Sequence, residues 1–287
     1  MIVPLKLAIY YGYPSLVNGA TTTQAAVNIF QMYDLLVIGA GLEKPTHPDY
    51  AKTKLILSNS GMANTVVYGY IDCTRGLAAI QTSITQWKTL GVTGIFCDKL
   101  GYDFSVKRAT QNTIVGYVKA AGMKLFLDAW NPDDIFGNQV VAMMNPTGAP
   151  ATQIQAGDYY LAQSYQIING AYQPVADWET KANKLVAYKN QFGIKVASIT
   201  TPGTTGFTQS LADYSYLSTA LYNFDAWGWG EVNYSATDGM LPFRARKTIY
   251  GTFFLNNITK NAGVYERQAN IGIMVNTNTH TVSIIMQ

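Results

Sequence analysis

Two cysteines and two histidines in 287 residues leave little material for a disulfide framework, a metal centre or a histidine-activated nucleophile. Cys73 and Cys97 fit no metal-ligand spacing, and each lies beside an aspartate near a predicted strand end, so both are expected as buried, unlinked thiols. His47 and His280 are isolated from any candidate nucleophile or ligand set. Charge is also scarce: 13% of residues are charged and the net charge is +3, with no Lys/Arg cluster, which argues against nucleic acid as a partner. No run is long and apolar enough to cross a membrane. The opening Met1–Tyr11 has no basic n-region and no small-residue cleavage site, and Lys6 interrupts it. It reads as a first strand rather than a signal peptide. The expectation is a chain that is cytosolic, mature after processing, or carried outside by a non-secretory route such as a virus particle. No metal, phosphate or nicotinamide signature is present, and no cofactor is expected.

What the chain does have is apolar residues, at 48%, and polarity carried by Asn, Gln, Thr, Ser and Tyr rather than by charge. That supports a large core and argues against disorder. The middle of the sequence repeats one phrase, in which an amphipathic helix ends in glycine and an apolar strand follows. Leu77, Ile80, Ile84, Trp87 and Leu90 fall at helical spacing, Gly91 ends the helix, and Val92–Asp98 reads as a strand. The phrase returns through Ile114, Val115 and Val118 to Gly122 and Met123–Asp128. It returns again through Leu185, Val186 and Tyr188 to Gly193 and Ile194–Thr200. Such a repeat implies parallel strands joined by crossover helices. Extended outward it adds strands at roughly 5–11, 34–39, 65–72, 158–164 and 221–226, making eight, enough to close a (β/α)₈ barrel. The alternative, a doubly wound open sheet, lacks its glycine-rich loop, because Gly12-Tyr-Pro-Ser follows the first strand. The barrel is therefore assigned to residues 1–241. From 242 to 287 the rhythm stops, and Ile249–Leu255, Ile271–Val275 and Thr281–Ile285 read as strands of a small β-rich appendage packed on the barrel. Asn276-Thr-Asn-Thr forms the turn between the last two.

In this fold the working face is the C-terminal end of the strands. Asp72, Asp98, Asp128 and Asp225 each end a predicted strand, so all four are expected around one mouth as candidate catalytic carboxylates. Crowding there raises one carboxyl's pKa while another stays ionised, as acid–base chemistry needs. Glu231, in the last loop, is a further candidate. Alternation groups Asp98 with Phe96 and Gly94, Asp72 with Tyr70 and Tyr68, and Asp128 with Phe126; these faces are taken as the inward ones, an assignment a bulge would overturn. Lys99 then points away unless the loop turns at it. Tyr11, Tyr13, Trp130, Trp227 and Trp229 accompany the acids, and rings beside carboxylates suit a carbohydrate cleft.

The run Tyr68-Gly-Tyr-Ile-Asp72 followed by Ile84-Thr-Gln-Trp-Lys-Thr-Leu-Gly-Val-Thr-Gly-Ile-Phe-Cys-Asp98 resembles the spherulin-like glycosidases and the related endo-α-1,4-polygalactosaminidase barrels, over roughly Leu5–Tyr165. Tyr10-Tyr-Gly-Tyr-Pro14 loosely matches their tyrosine-rich first strand. The resemblance implies that Asp98 is a catalytic carboxylate and that a second acid, usually Glu, ends a later strand. Here strand six reads Tyr159-Tyr-Leu-Ala-Gln-Ser-Tyr165 and offers Gln or Ser instead. Either Asp128, Asp225 or Glu231 supplies the partner, or the site binds glycan without cleaving it. Two readings follow. One is a glycoside hydrolase acting on a polysaccharide, with amino-sugar-rich polymers suggested by the resemblance. The other is a non-catalytic carbohydrate-binding or structural component of a virion or cell surface. In that second case the C-terminal β segment would meet other subunits.

Overall fold

The computed structural model describes residues 3–39, 41–204, 206–231, 239–249, 251, 253–269 and 271–286. Eight parallel strands close into a barrel: β1 (Leu5–Tyr10), β2 (Leu35–Ile38), β3 (Val66–Asp72), β4 (Gly94–Asp98), β5 (Lys124–Asp128), β6 (Tyr159–Ala162), β7 (Lys195–Ile199) and β8 (Ala226–Gly228). Each pairs with its sequence neighbour, and β1 pairs with β8 to close the ring. The helices are α1 (Thr23–Phe30), α2 (Tyr50–Leu57), α3 (Leu77–Leu90), α4 (Arg108–Ala120), the single turn α5 (Asp133–Phe136), α6 (Val175–Phe192) and α7 (Gln209–Leu221). This is the expected (β/α)₈ barrel.

Alternation along the strands divides the core in two. Leu7, Ile9, Leu35, Val37, Tyr68, Phe96, Phe126, Tyr159, Leu161, Ala197 and Ile199 fill the barrel interior. The intervening residues pack under the helices. The α3–β3 contact shows how tight the outer layer is. Gly69 faces the Trp87 indole so closely that a Cβ would lie 2.2 Å from the ring, and the indole N–H donates to Tyr70 O at 2.9 Å. Gly91 ends α3 at φ +97°, the left-handed conformation that glycine adopts without penalty.

The last barrel strand differs from the sequence expectation. Residues 221–226 read as a strand ending in Asp225, but α7 runs to Leu221 and β8 begins at Ala226. Asp225 therefore immediately precedes its strand and sits at the opposite end of the barrel from Asp98. The cause is that α7 is buried all round, from Leu211 through Leu221 with Asp213 as the one less buried position, so its apolar run has no solvent face to mark it as a helix. Its outer side is covered by the C-terminal antiparallel sheet of β9 (Thr259–Asn261), β10 (Val264–Gln268), β11 (Ile271–Asn276) and β12 (Thr281–Met286). β11 and β12 match the expected strands, and Asn276 Oδ1 accepts the N–H groups of Asn278 and Thr279 in the turn between them. Ile249–Leu255 is irregular in its described residues, with 250 and 252 outside them. Among the described residues no helix follows β8. Instead a coil segment from 239 to 249 lies along the first strand and helix. There Tyr33 Oη donates to Pro242 O, the Asn18 side chain bonds Leu241, and Arg246 donates to Pro4 O.

The N-terminal rim is tied by three aspartates that each precede a strand. Asp34 accepts the N–H of Lys6 at 2.7 Å, Asp158 that of Leu125 at 3.2 Å, and Asp225 that of Val196 at 2.8 Å. Asp158 also pairs with Lys119 at 2.7 Å, and Asp225 with Lys189 at 2.6 Å. Asp158 is 3% exposed and its side chain also accepts from Gln155 N–H, so Asp158→Ala should cost about 3–5 kcal/mol by stranding a buried lysine and backbone donors. The more exposed Asp225 should cost about 1–2 kcal/mol on the same change. Urea denaturation of both variants checks this, and equal losses would show that burial does not set the cost.

Candidate active site at the barrel mouth

The C-terminal end of the barrel opens into a cavity of about 220 Å³ lined by Tyr11, Phe96, Asp98, Phe104, Asp128 and Gln163, among others. Asp98 ends β4 on the inward face, as its alternation with Phe96 requires. The neighbouring strand runs in register, Tyr70 opposite Phe96 and Asp72 opposite Asp98. The Tyr70 hydroxyl therefore reaches across and donates to Asp98 Oδ2 at 2.7 Å. Burial, then the charge of Asp98, push the Tyr70 phenol well above its ordinary range, so it remains a donor.

Asp128 ends β5 at 4% exposure, within hydrogen-bonding reach of Asp98. Its Oδ1 has no donor, which a buried carboxylate cannot tolerate cheaply. Protonation resolves this, because the acid proton is donated to Asp98. Burial first, then the negative charge of Asp98, push Asp128 well above the usual carboxylate range, in agreement with the geometry. The two carboxyls thus form one unit in which Asp128 is the neutral donor and Asp98 accepts from two sides.

Asp72 shares the rim but is otherwise engaged. Lys99 Nζ lies 2.8 Å from Oδ2, and the N–H and hydroxyl of Thr74 donate to Oδ1 at 2.9 and 2.6 Å. Partial burial raises its pKa, but these hydrogen bonds outweigh burial and hold it below the usual range. Lys99 can reach Asp72 because its backbone turns at φ +56°, which overrides the strand alternation.

The other expected site residues are dispersed. Asp225 lies at the far rim, for the reason given above. Glu231 is held by Arg244 through two hydrogen bonds of 2.6 and 2.8 Å, beside Tyr33 and Trp227 on the outside of the barrel rather than in the cavity. Trp227 alternates outward from Ala226, stacks edge-on against Tyr216 and donates to Ser215 Oγ at 2.8 Å. Trp229 is likewise buried, against Phe207. Both follow from the later start of β8, which puts Trp227 on the outer face of the strand rather than in a loop at the mouth. Tyr11 lines the cavity and meets Tyr70 edge to face at 5.3 Å; Tyr13 is exposed and packs on His47. Trp130 stands at the edge, 49% exposed. Cys73 and Cys97 are free thiols in the outer layer, in mutual contact and buried, and burial pushes the Cys73 thiol up. Among the described residues no group of His, Cys, Asp or Glu is arranged to hold a metal ion, and no helix is long and apolar enough to cross a membrane.

Three residues that sequence reasoning did not single out also belong to this end. Tyr70 was grouped with Asp72 by alternation, and only the β3–β4 register reveals its bond to Asp98. Asp103, exposed on the turn Tyr102–Phe104 that follows β4, brings a second charge near Asp128. Lys181 reaches the mouth from α6, a position that no local pattern marks.

No family model matches the chain, and no curated protein matches it. Solved structures do. The glycoside hydrolase domain of PelA from Pseudomonas aeruginosa superposes with a TM-score of 0.50 at 11% identity, over 83% of this chain and 100% of that one. A single-residue variant of the same domain gives the same values. A dipeptide epimerase from Enterococcus faecalis V583 gives 0.46 at 14% identity, over 79% of this chain and 55% of that one. At such identities the similarity is one of fold: the chain is built on a barrel like that of a glycoside hydrolase domain.

Proposed function

We propose that the chain is a glycoside hydrolase-like protein acting on a polysaccharide at the barrel mouth, with Asp98 facing the anomeric carbon. The observation that carries this reading is the hydrogen bond from Tyr70 to Asp98, with the buried carboxyl of Asp128 beside it, on the floor of an aromatic-walled cavity. An oxocarbenium-like transition state needs a fixed anionic carboxylate beside it, and donors set in a low-dielectric site hold that carboxylate without reorganisation. Tyr11 and Trp130 offer flat faces for sugar rings. The resemblance of the β3 and β4 sequences points to amino-sugar-rich polymers as substrate.

Asp128 does not serve as the leaving-group acid. Carboxyls that flank a glycosidic bond stand roughly 5–10 Å apart, whereas Asp128 touches Asp98. Its role is to orient and hydrogen-bond Asp98. Among the described residues lining the cavity, Asp98 and Asp128 are the only carboxyls. Gln163, where the resemblance leads one to look for Glu, favours a second reading, in which the mouth binds glycan without cleaving it.

Reducing-end release from a panel of polysaccharides, including deacetylated amino-sugar polymers, tests the first reading. Asp98→Asn should lower kcat on the order of 10³-fold with the fold intact; wild-type activity in that variant would remove Asp98 from the mechanism. Binding by the wild type without any cleavage would select the second reading.

The pH dependence separates the role of Asp128. It donates only while protonated, so activity should fall as pH rises through its raised pKa. Asp128→Asn keeps a neutral donor that does not titrate, and should flatten this alkaline decline while retaining activity. A decline that persists unchanged in the pH–rate profile of Asp128→Asn would assign it to another group.

A further inference from the structure

Beside the mouth lies a groove of about 600 Å³, between the loop that follows β5 and the start of α6. Trp130, Asn131, Gln173, Thr180, Lys181 and Lys184 are among its walls. Lys184 is neutralised by Asp133, with the Tyr188 hydroxyl completing that cluster. Lys181 is not neutralised. Among the described residues no carboxylate lies within 4 Å of its ammonium, which has Gln163 O at 3.4 Å and the Trp130 ring at 4.7 Å. An ammonium carries three N–H donors; this one spends one long hydrogen bond on the protein and lines the groove, where it is open to a further acceptor. Gln163 lines the Asp98 cavity as well, so groove and cavity meet at Gln163 and Lys181.

We propose that the groove is a sugar subsite for a pyranose bearing a carboxylate, stacked against the exposed part of Trp130 with the acid group on Lys181. This rests on the glycan reading of the mouth and adds the substrate class at its neighbouring position. A carboxylate supplies the charge-assisted acceptor that the ammonium lacks, and the ring face supplies the stacking surface that Trp130 leaves half exposed. A neutral sugar satisfies the second demand but not the first.

The electrostatic surroundings give this a pH signature. The groups facing Lys181 are Asp128 on β5, Asp103 on the turn after β4, and Asp177 one turn earlier on α6, with the Asp133–Lys184 pair beyond them. Burial outweighs the nearby acids and brings the Lys181 amine down to about 8. The cation is present below that value and lost above it, so preference for an acidic sugar should vanish as pH rises through it.

The test measures calorimetric affinity for α-1,4-linked trigalacturonate and for its neutral galactose counterpart, on the full chain. At about pH 6 the acidic trisaccharide should bind about tenfold more tightly than the neutral one, and near pH 9.5 the two should bind alike. Lys181→Met should erase the preference at the lower pH, whereas Lys181→Arg, whose charge does not titrate, should show it at the higher one as well. Trp130→Ala should weaken both ligands. Equal affinity for the two sugars at the lower pH would overturn the subsite while leaving the glycan reading of the mouth in place. Binding of neither would overturn it too, and the cleavage assay of Asp98→Asn would then decide the mouth separately.

Discussion

Carboxylates accepting backbone N–H groups hold the lower rim of this barrel together. A closed ring of parallel strands satisfies its backbone everywhere except near the ends, where some N–H groups have no ladder partner. Asp34, Asp158 and Asp225 each stand one residue before a strand, and their carboxylates accept the N–H of the second residue of the neighbouring strand, Lys6, Leu125 and Val196. Lys119 and Lys189 neutralise two of them, so the charges are kept at little electrostatic cost. With the lower ends pinned, the register between strands is fixed, and everything at the upper ends inherits it.

The upper rim shows what that register achieves. Because Tyr70 stands opposite Phe96, one residue pair below Asp72 and Asp98 on the inward face, its hydroxyl meets Asp98 and not Asp72. The same pairing leaves Asp72 to Lys99 and Thr74. Asp98 and Asp128, ending adjacent strands on the same inward face, are brought into contact, and burial of one decides which of the two carries the proton. Three aspartates at similar strand-end positions thus acquire three states: ion-paired, doubly hydrogen-bonded acceptor, and neutral donor. Local sequence around them differs little, so the division of labour comes from register and depth.

This sets the boundary of what was legible beforehand. The helix–glycine–strand phrase specified the barrel, because period and punctuation are local properties. Alternation specified which residues share a face with Asp98, for the same reason; that this face points inward was an assumption, and Phe96 in the barrel interior bears it out. The eighth strand was misplaced because its preceding helix is buried on nearly every side, an outcome of the C-terminal sheet covering α7 that no local window contains. That single displacement carried Asp225 to the far rim and turned Trp227 and Trp229 away from the mouth. An aspartate just before a strand and one at its end look alike when the strand boundary is uncertain by a few residues.

Lys181 illustrates a different kind of illegibility. It lies on a helix whose other lysines, Lys184 and Lys189, are absorbed by Asp133 and Asp225, and sequence spacing gives no reason to distinguish it from them. The distinction arises because the loop after β5 brings Trp130 over its amine, while Asp128 and Asp103 lie near it without pairing. A part-buried cation with no carboxylate partner, in a charge-poor protein, is a charge left open to an acceptor. The groove's opening beside Trp130 is where such a group has room to enter. That open charge is then what discriminates between ligands, since a neutral ring offers it no charge-assisted partner.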